Sequence, residues 1–406
     1  MKLLIFFNRK IQLGKFNCTY ITFIWFALVV IGVMLEMLRG VSSINNYLIY
    51  EYVFHHLVEQ KNLYLQYASE YHDSNHYGPS FSLLIAPFSI LPTFLGCFLW
   101  VIANAWFLRL AINKLHIHQY QKTIVLLVSL VELMTAAHNV QFNISITGMI
   151  ILSYVLIEEK KDFWAALFII LGAYTKILGI VGLAFFFFSK QKPKLIISLI
   201  FWAVLLFCLP MLFSSPQFVI HSYKDWFSSL VNKNQSNINL EINLNMQDIS
   251  VLGIIRRVFN YDNLHNWAVL IPAGILFCLP YLRIKQFKYA NFRLHYLALT
   301  LITAVIFNTS SESPTYIIAV VGAGIWFSIQ KKPWSKKVIV LLIFMLLLTS
   351  LSSTDLFSKN VKDNFIVEYS LKALPCFIIW LVILYDMLTI KFVELFNAEN
   401  KSTIAS

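Results

Sequence analysis

Charge is scarce in this chain. Asp, Glu, Lys and Arg make up 13% of its 406 residues, against 58% that are hydrophobic, and the mean hydropathy is +0.69. A soluble chain of that length needs enough polar surface to cover two or three cores, so the shortage excludes an ordinary water-soluble globule. Cysteine is sparse too. Cys18, Cys97, Cys208, Cys278 and Cys376 stand within or beside apolar stretches with no C-x-x-C pair, which excludes a cysteine metal site or redox motif and marks them as small core residues. No glycine-rich phosphate loop of the Walker or Rossmann kind occurs, so neither device is available to hold a nucleotide. There is no internal repeat of fixed period and no low-complexity tract, which argues against a solenoid or a repeat-built transporter.

What fills the chain instead is a series of about ten to twelve apolar stretches of membrane-spanning length. They run over 20–38, 82–112, 122–137, 144–157, 163–175, 177–188, 195–213, 267–282, 294–307, 316–329, 338–351 and 374–390. In hydrocarbon the backbone must satisfy its own donors and acceptors, and runs of Leu, Ile, Phe and Val without alternating short strands do so only as helices. The expected fold is therefore all-α, a polytopic integral membrane protein with one transmembrane domain over 20–390. The formal charge of +12 lies in clusters at 2–15, 160–161, 190–194, 283–293 and 331–337. Under the positive-inside rule these are cytoplasmic, and the absence of aromatics interleaved with them on a soluble module argues against nucleic acid. The N-terminal segment 1–19 and the tail 391–406 then lie in the cytoplasm, with 39–80 and 214–266 as the main external loops. Basic residues precede the run at 20–38 as in a signal peptide, but the run is long and no small-residue cleavage site follows, so it is expected to stay as a first span. The stretch 82–112 is too long for one straight crossing and carries Pro87 and Pro92. It is expected to make one net crossing after a broken or re-entrant segment.

The chemistry-bearing residues collect in the external loops. Glu51, His55, His56, Glu59, Glu70, His72, Asp73 and His76 crowd the first, in a stretch where Asn45 to Gln60 has the pattern of an interfacial helix. Carboxylates and imidazoles at a membrane boundary suit general acid-base catalysis, and they equally suit a solvated face. His72 and His76 have the spacing of two metal ligands on a helix, but Gly78-Pro79 argues against a helix there, and no metal or other cofactor is expected. Arg256 and Arg257 sit on the side opposite the positive loops, where guanidinium groups pair with a lipid phosphate or anchor to anionic membrane lipids. Lys176, at a break between apolar segments, is a further phosphate partner or a snorkelling residue. Glu312 starts an external helix, where capping competes with a functional role.

Several pieces together resemble glycosyltransferase family 87 of the GT-C superfamily. They are Asn62 to Tyr64 (NLY), Tyr77 to Pro92 (YGPSFSLLIAPFSILP), Trp100 with Asn104, Asn139 to Asn143 (NVQFN) and AYTK ending at Lys176, with weaker agreement in QDISVLGIIRR. The resemblance spans roughly 45–210 and implies a GT-C-like helical bundle. It also implies a polyprenyl-phosphate-linked sugar donor, often mannose, and a lipid or glycan acceptor met outside the cytoplasm. A first-loop carboxylate would be the general base, with inversion at the anomeric carbon. Asn46, His76, Tyr77, Gln141, Asn143, Lys176, Arg256, Arg257 and Glu312 are the substrate-binding candidates. The residue at the family's usual acidic position is Asn46, which cannot accept a proton as a carboxylate does. Either the role has moved to Asp73 or Glu51, with Asp73 favoured because it leads directly into the turn before the membrane, or the chain has lost activity. Val140 likewise replaces the glycine of the family's N-G-Q-x-N.

Such a donor leaves as a phosphate anion, so Lys176 or Arg256 and Arg257 would stabilise the developing charge without bound metal. Two rivals stand beside this reading: a lipid or solute transporter or flippase, and a non-catalytic partner in envelope assembly. The location expected is the bacterial inner membrane.

Overall fold

The computed structural model describes residues 2–13, 16–238, 247–261, 264–354 and 356–392. Parts of the expected loop 214–266 and, from 393 on, the expected tail 391–406 lie outside the described residues. The protein is an all-α polytopic membrane protein; a short antiparallel hairpin, β1 (Lys10–Leu13) on β2 (Phe16–Thr19), pairs Lys10 with Thr19. Among the described residues five helices are long and apolar enough to cross a membrane: Tyr20–Met37, Thr93–Lys114, Gln119–His138, Lys192–Leu212 and Leu371–Thr389. Shorter apolar helices of 10–17 residues accompany them. The chain divides into two compact units, 1–237 and 238–406.

The first unit contains α1 (Lys2–Asn8), α2 (Tyr20–Met37), α3 (Asn45–Glu59), α4 (Phe81–Ser89), α5 (Thr93–Lys114), α6 (Gln119–His138), α7 (Asn143–Glu158), α8 (Asp162–Thr175), α9 (Lys192–Cys208) and α10 (Pro216–Ile238). Helix α7 is buried around nearly its whole circumference, and α5 and α8 pack on it. Helix α9 turns Ile197, Ile200 and Val204 outward, each more than half exposed, the apolar exterior that lipid rather than water accepts. The long stretch 82–112 breaks at 90–92, where the prolines place the break: Pro87 lies inside α4 and Pro92 caps the start of α5. Gly96 makes the packing of α3 on this break possible. A Cβ there would lie 2.0 Å from the Tyr47 hydroxyl and 2.4 Å from the Phe88 carbonyl. Without one, Tyr47 donates to that carbonyl at 2.9 Å.

The second unit contains α11 (Val251–Phe259), α12 (Trp267–Cys278), α13 (Ala290–Ile306), α14 (Tyr316–Ser328), α15 (Lys336–Met345), α16 (Lys359–Val361) and α17 (Leu374–Thr389). Its core is α14, buried on every side, against α13 and α17. The fully buried Trp380 ties α17 to α13 by donating its indole N–H to the Thr303 hydroxyl at 2.8 Å.

Candidate functional site

Helix α3 places its side chains in three stripes: Asn45 and His56 three turns apart on one, and the i, i+4 pairs Asn46 and Tyr50, and Glu51 and His55, on the other two. One stripe holds the loop that follows α3. Asn45 accepts from the His72 backbone N–H at 2.7 Å and donates to its carbonyl at 2.5 Å, while His56 pairs with Glu70 at 2.8 Å. Burial lowers the His56 pKa, and Glu70 opposes it. The second stripe meets the site. Asn46 donates to the Asn139 carbonyl at 2.8 Å, and the Tyr50 and Tyr77 hydroxyls are 3.0 Å apart. The third faces α4 and α5: Glu51 accepts from the Thr93 hydroxyl at 3.1 Å, and His55 approaches the Ser89 carbonyl at 3.3 Å. Burial raises the Glu51 pKa, against the Thr93 hydrogen bond and the positive influence of His55. The structure therefore puts Glu51 and Asn46 on different faces of one helix.

The loop that follows is closed by α10. Tyr64 donates to the Tyr77 carbonyl at 3.1 Å, and Asn75 accepts from the Tyr77 N–H at 2.9 Å, so the turn before α4 is fixed by side chains rather than by helix. From α10, Trp226 donates to the His76 carbonyl at 2.9 Å and Ser229 meets His76 Nδ1 at 2.9 Å. Lys233, one turn further, lies 4.0 Å from the Asp73 carboxylate. Gly78 donates its N–H to Thr175 at 3.1 Å; a Cβ there would stand 2.0 Å from the Tyr174 carbonyl and 3.0 Å from the Trp226 ring. Asp73 occupies the left-handed backbone region (φ 76°), its carboxylate accepting from the Ser74 N–H at 2.8 Å with 59% of the side chain exposed.

Lys176 arrives from the other side. Helix α8 ends at Thr175 and the chain passes through Lys176 in extended conformation before the 3₁₀ segment Ile177–Phe188. Its ammonium donates to Asn143 Oδ1 at 2.7 Å and stands 5.5 Å from the centre of the Tyr77 ring. Asn143 in turn donates to Gln141 at 3.3 Å. The turn that carries Gln141 passes through Val140 at φ 51°, a conformation costly for a β-branched residue and natural for the glycine that the family pattern has there.

His76 shows how these groups converge. Its pKa is pushed down to about 4, first by burial, then by Lys233; Asp73 pulls the other way and Lys176 adds to the depression. Two ammonium groups and a carboxylate therefore act on one imidazole, whose Nε2 is buried with no protein partner. The structure brings together Asp73, His76, Tyr77, Gln141, Asn143 and Lys176, with Asn46 on the neighbouring turn. Lys233 and Ser229 were not among the expected site residues. They lie far along the chain, and only the 226, 229, 233 spacing on a helix could have suggested a shared face.

The remaining candidates belong to the second unit. Arg256 is fully buried, paired with Asp248 at 2.5 Å and bonded to Asn266 and the Leu264 carbonyl. Burial pushes the Asp248 carboxyl up, against the Ser250 hydrogen bond and Arg256. Arg257 donates to the carbonyls of Val367 at 3.1 Å and Gln247 at 2.8 Å and to the Ser370 hydroxyl. Arg256 thus ties α11 to Asp248, Leu264 and Asn266, and Arg257 ties it to Gln247 and to Val367 and Ser370. Glu312 caps the turn Ser313–Thr315 and accepts from Gln247 at 3.2 Å. Among the described residues no group of three or more His, Cys, Asp or Glu side chains is placed to hold a metal ion.

A comparison with curated proteins finds no match. The model of glycosyltransferase family 87 does match, over residues 75–309, a stretch that includes His76, Lys176 and Lys233 and exceeds half of the chain. This membrane protein therefore belongs to glycosyltransferase family 87 and is a glycosyltransferase.

Proposed function

We propose that the chain moves a sugar, mannose by the family resemblance, from a polyprenyl-phosphate-linked donor to an acceptor hydroxyl on the extracytoplasmic side, with inversion. Asp73 takes the acceptor's proton as its oxygen bonds to the anomeric carbon. The bond from that carbon to the phosphate oxygen breaks, and the polyprenyl phosphate leaves carrying one more negative charge. Lys176, joined by Lys233, receives that charge. The observation that supports this division of labour is the convergence of both lysines and Asp73 on His76. The terminal guanidinium nitrogens of both arginines already donate to protein acceptors, and the Nε that each leaves unpartnered is buried, so we assign the phosphate to the lysines. The basic clusters put both termini in the cytoplasm and, with the family, suggest a bacterial inner membrane.

Asn46 favours one other reading, a homologue that has lost transfer and serves envelope assembly. Asp73→Ala separates the two. Radiolabel from a panel of polyprenyl-phosphate sugars is followed in purified membranes, and under our reading D73A abolishes transfer that the unaltered protein supports. Unchanged transfer removes Asp73 from the mechanism; no transfer by the unaltered protein favours the assembly role. Activity lost in chelator overturns the metal-free chemistry.

A further inference from the structure

Near the end of α5 stands a cation that the protein itself does not neutralise. Arg109 lies in a helix long and apolar enough to cross a membrane, and its guanidinium is always charged. One terminal nitrogen donates to Asn113 Oδ1 at 2.7 Å and the other to the Thr22 hydroxyl on α2, both neutral acceptors. Nε is enclosed and takes no part, so of the five N–H donors one on each terminal nitrogen stays uncommitted. No carboxylate among the described residues pairs with Arg109. A charge within a membrane helix needs a compensating partner, and the plain alternative is snorkelling to water. The side chain is instead turned onto α2 and partly buried.

A cavity of about 410 Å³ lies against it, lined by Trp106, Arg109, Leu110, Asn113 and Lys114. Lys114 is exposed, and Asn113, whose side-chain oxygen serves Arg109, keeps its amide N–H donors. Lys122 donates to the Asn113 carbonyl at 2.6 Å, covering one of the helix-end carbonyls that would otherwise repel an anion. Trp106 is 55% exposed, an amphipathic ring of the kind that settles at headgroup level. Asn113 stands twenty residues beyond Thr93, where α5 meets α3, so the cavity lies about 30 Å along the helix from that end, the thickness of a bilayer's hydrocarbon.

We infer that this cavity binds the headgroup of an anionic phospholipid in the leaflet opposite the proposed reaction centre. Arg109 offers the phosphate a pair of parallel donors, Lys114 and the Asn113 amide add to them, and Trp106 and Leu110 give an acyl chain an apolar wall. Two cations and no carboxylate in the lining favour a headgroup that keeps its net negative charge, since the ammonium of a zwitterionic lipid would meet Lys114. The lipid supplies the counter-charge that Arg109 lacks and completes the junction of α2 with α5.

Binding is read without any transfer reaction. Full-length protein is purified in lipid nanodiscs of equal parts phosphatidylcholine and phosphatidylglycerol, and the lipids it carries after release are counted by native mass spectrometry. One phosphatidylglycerol should stay bound in preference to phosphatidylcholine. Arg109→Gln should weaken that binding by about tenfold. Because this change also removes the bond to Thr22, a surface pair is read beside it. Trp106→Ala/Lys114→Gln should lose the lipid while its thermal unfolding in phosphatidylcholine nanodiscs matches that of the unaltered protein. Lys336→Gln/Lys337→Gln, which removes two exposed charges from another basic cluster, should keep it. Equal retention of the two lipids, undiminished retention in the surface pair, or an equal loss in the Lys336/Lys337 variant overturns the site. So does displacement of the lipid by millimolar inorganic phosphate held in its place, the mark of a site for the free anion.

Discussion

Replacing Lys176 by methionine removes one charge from the proposed reaction centre while keeping the length of the side chain. On release the donor's phosphate passes from a diester with one negative charge to a monoester approaching two, so about one unit of charge develops near the lysine. At a contact distance of ~4 Å and an effective dielectric of about 20, an ammonium stabilises a unit charge by about 4 kcal/mol. Part of that is already present in the bound donor, which leaves roughly 3 kcal/mol for the transition state, or about a hundredfold in kcat. There is a structural cost too: Asn143 Oδ1 loses its 2.7 Å donor, worth about 1–3 kcal/mol of stability in a buried setting. The two effects are separable. Single-turnover transfer from a radiolabelled polyprenyl-phosphate sugar gives the rate, and thermal unfolding in the same nanodiscs gives the stability. We expect Lys176→Met to lose about a hundredfold in kcat with little change in donor KM, and Lys176→Arg, which keeps the charge in a planar fork, to fall between. A methionine variant that folds and turns over within about threefold of the unaltered protein refutes the assignment of the phosphate to Lys176.

Four other outcomes follow from the same geometry. The folded protein holds the His76 imidazole at about 4 against an ordinary 6.5, so between those values the unfolded chain takes up a proton that the folded chain refuses. Stability therefore falls as pH falls through that window, by up to about 3 kcal/mol, and the drop in thermal midpoint from neutral to mildly acidic pH should be smaller in His76→Gln; equal drops refute it. Asn46→Asp should restore part of the transfer lost in Asp73→Asn, because both positions border the same site; a double variant as inactive as D73N alone argues against a relocated base. Gly78→Ala should cost about 3 kcal/mol or more, read as loss of folded protein on gel filtration, since the Tyr174 carbonyl is backbone and cannot yield. Val140→Gly should be nearly neutral in thermal unfolding, because relief of the left-handed strain, about 1–2 kcal/mol, offsets the lost burial of the isopropyl group.

Local signals in the sequence were legible, and contacts between distant segments were not. The helix expected over Asn45 to Gln60 is α3, ending where Gln60 turns left-handed. The prolines marked the break before α5, and the cation between two apolar runs marked Lys176 at the end of α8. Each is a matter of neighbouring residues and backbone preference. Which stripe of α3 faces what is another matter. Asn46, as a substrate-binding candidate, and Glu51, as a catalytic one, were both expected at the site, and only the packing of α4 and α5 against the third stripe separates them. The arginine pair drew attention as charges against the topological bias. Asp248, eight residues earlier in a polar stretch, gave no sign that it would be buried with Arg256. Lys233 escaped for the same reason, since its partner lies in the loop between α3 and α4.

Trp226, Ser229 and Lys233 leave α10 from a single stripe and all end on residues 73 to 76. A rigid helix cannot withdraw one of them and leave the others, so the indole, the hydroxyl and the ammonium arrive and depart as a set. Shape and charge at that rim are thus governed by one coordinate. With α10 seated the rim is ordered and electropositive; with α10 displaced it loses a cation, two tethers to His76 and much of what suppresses the basicity of that imidazole, all in the same step.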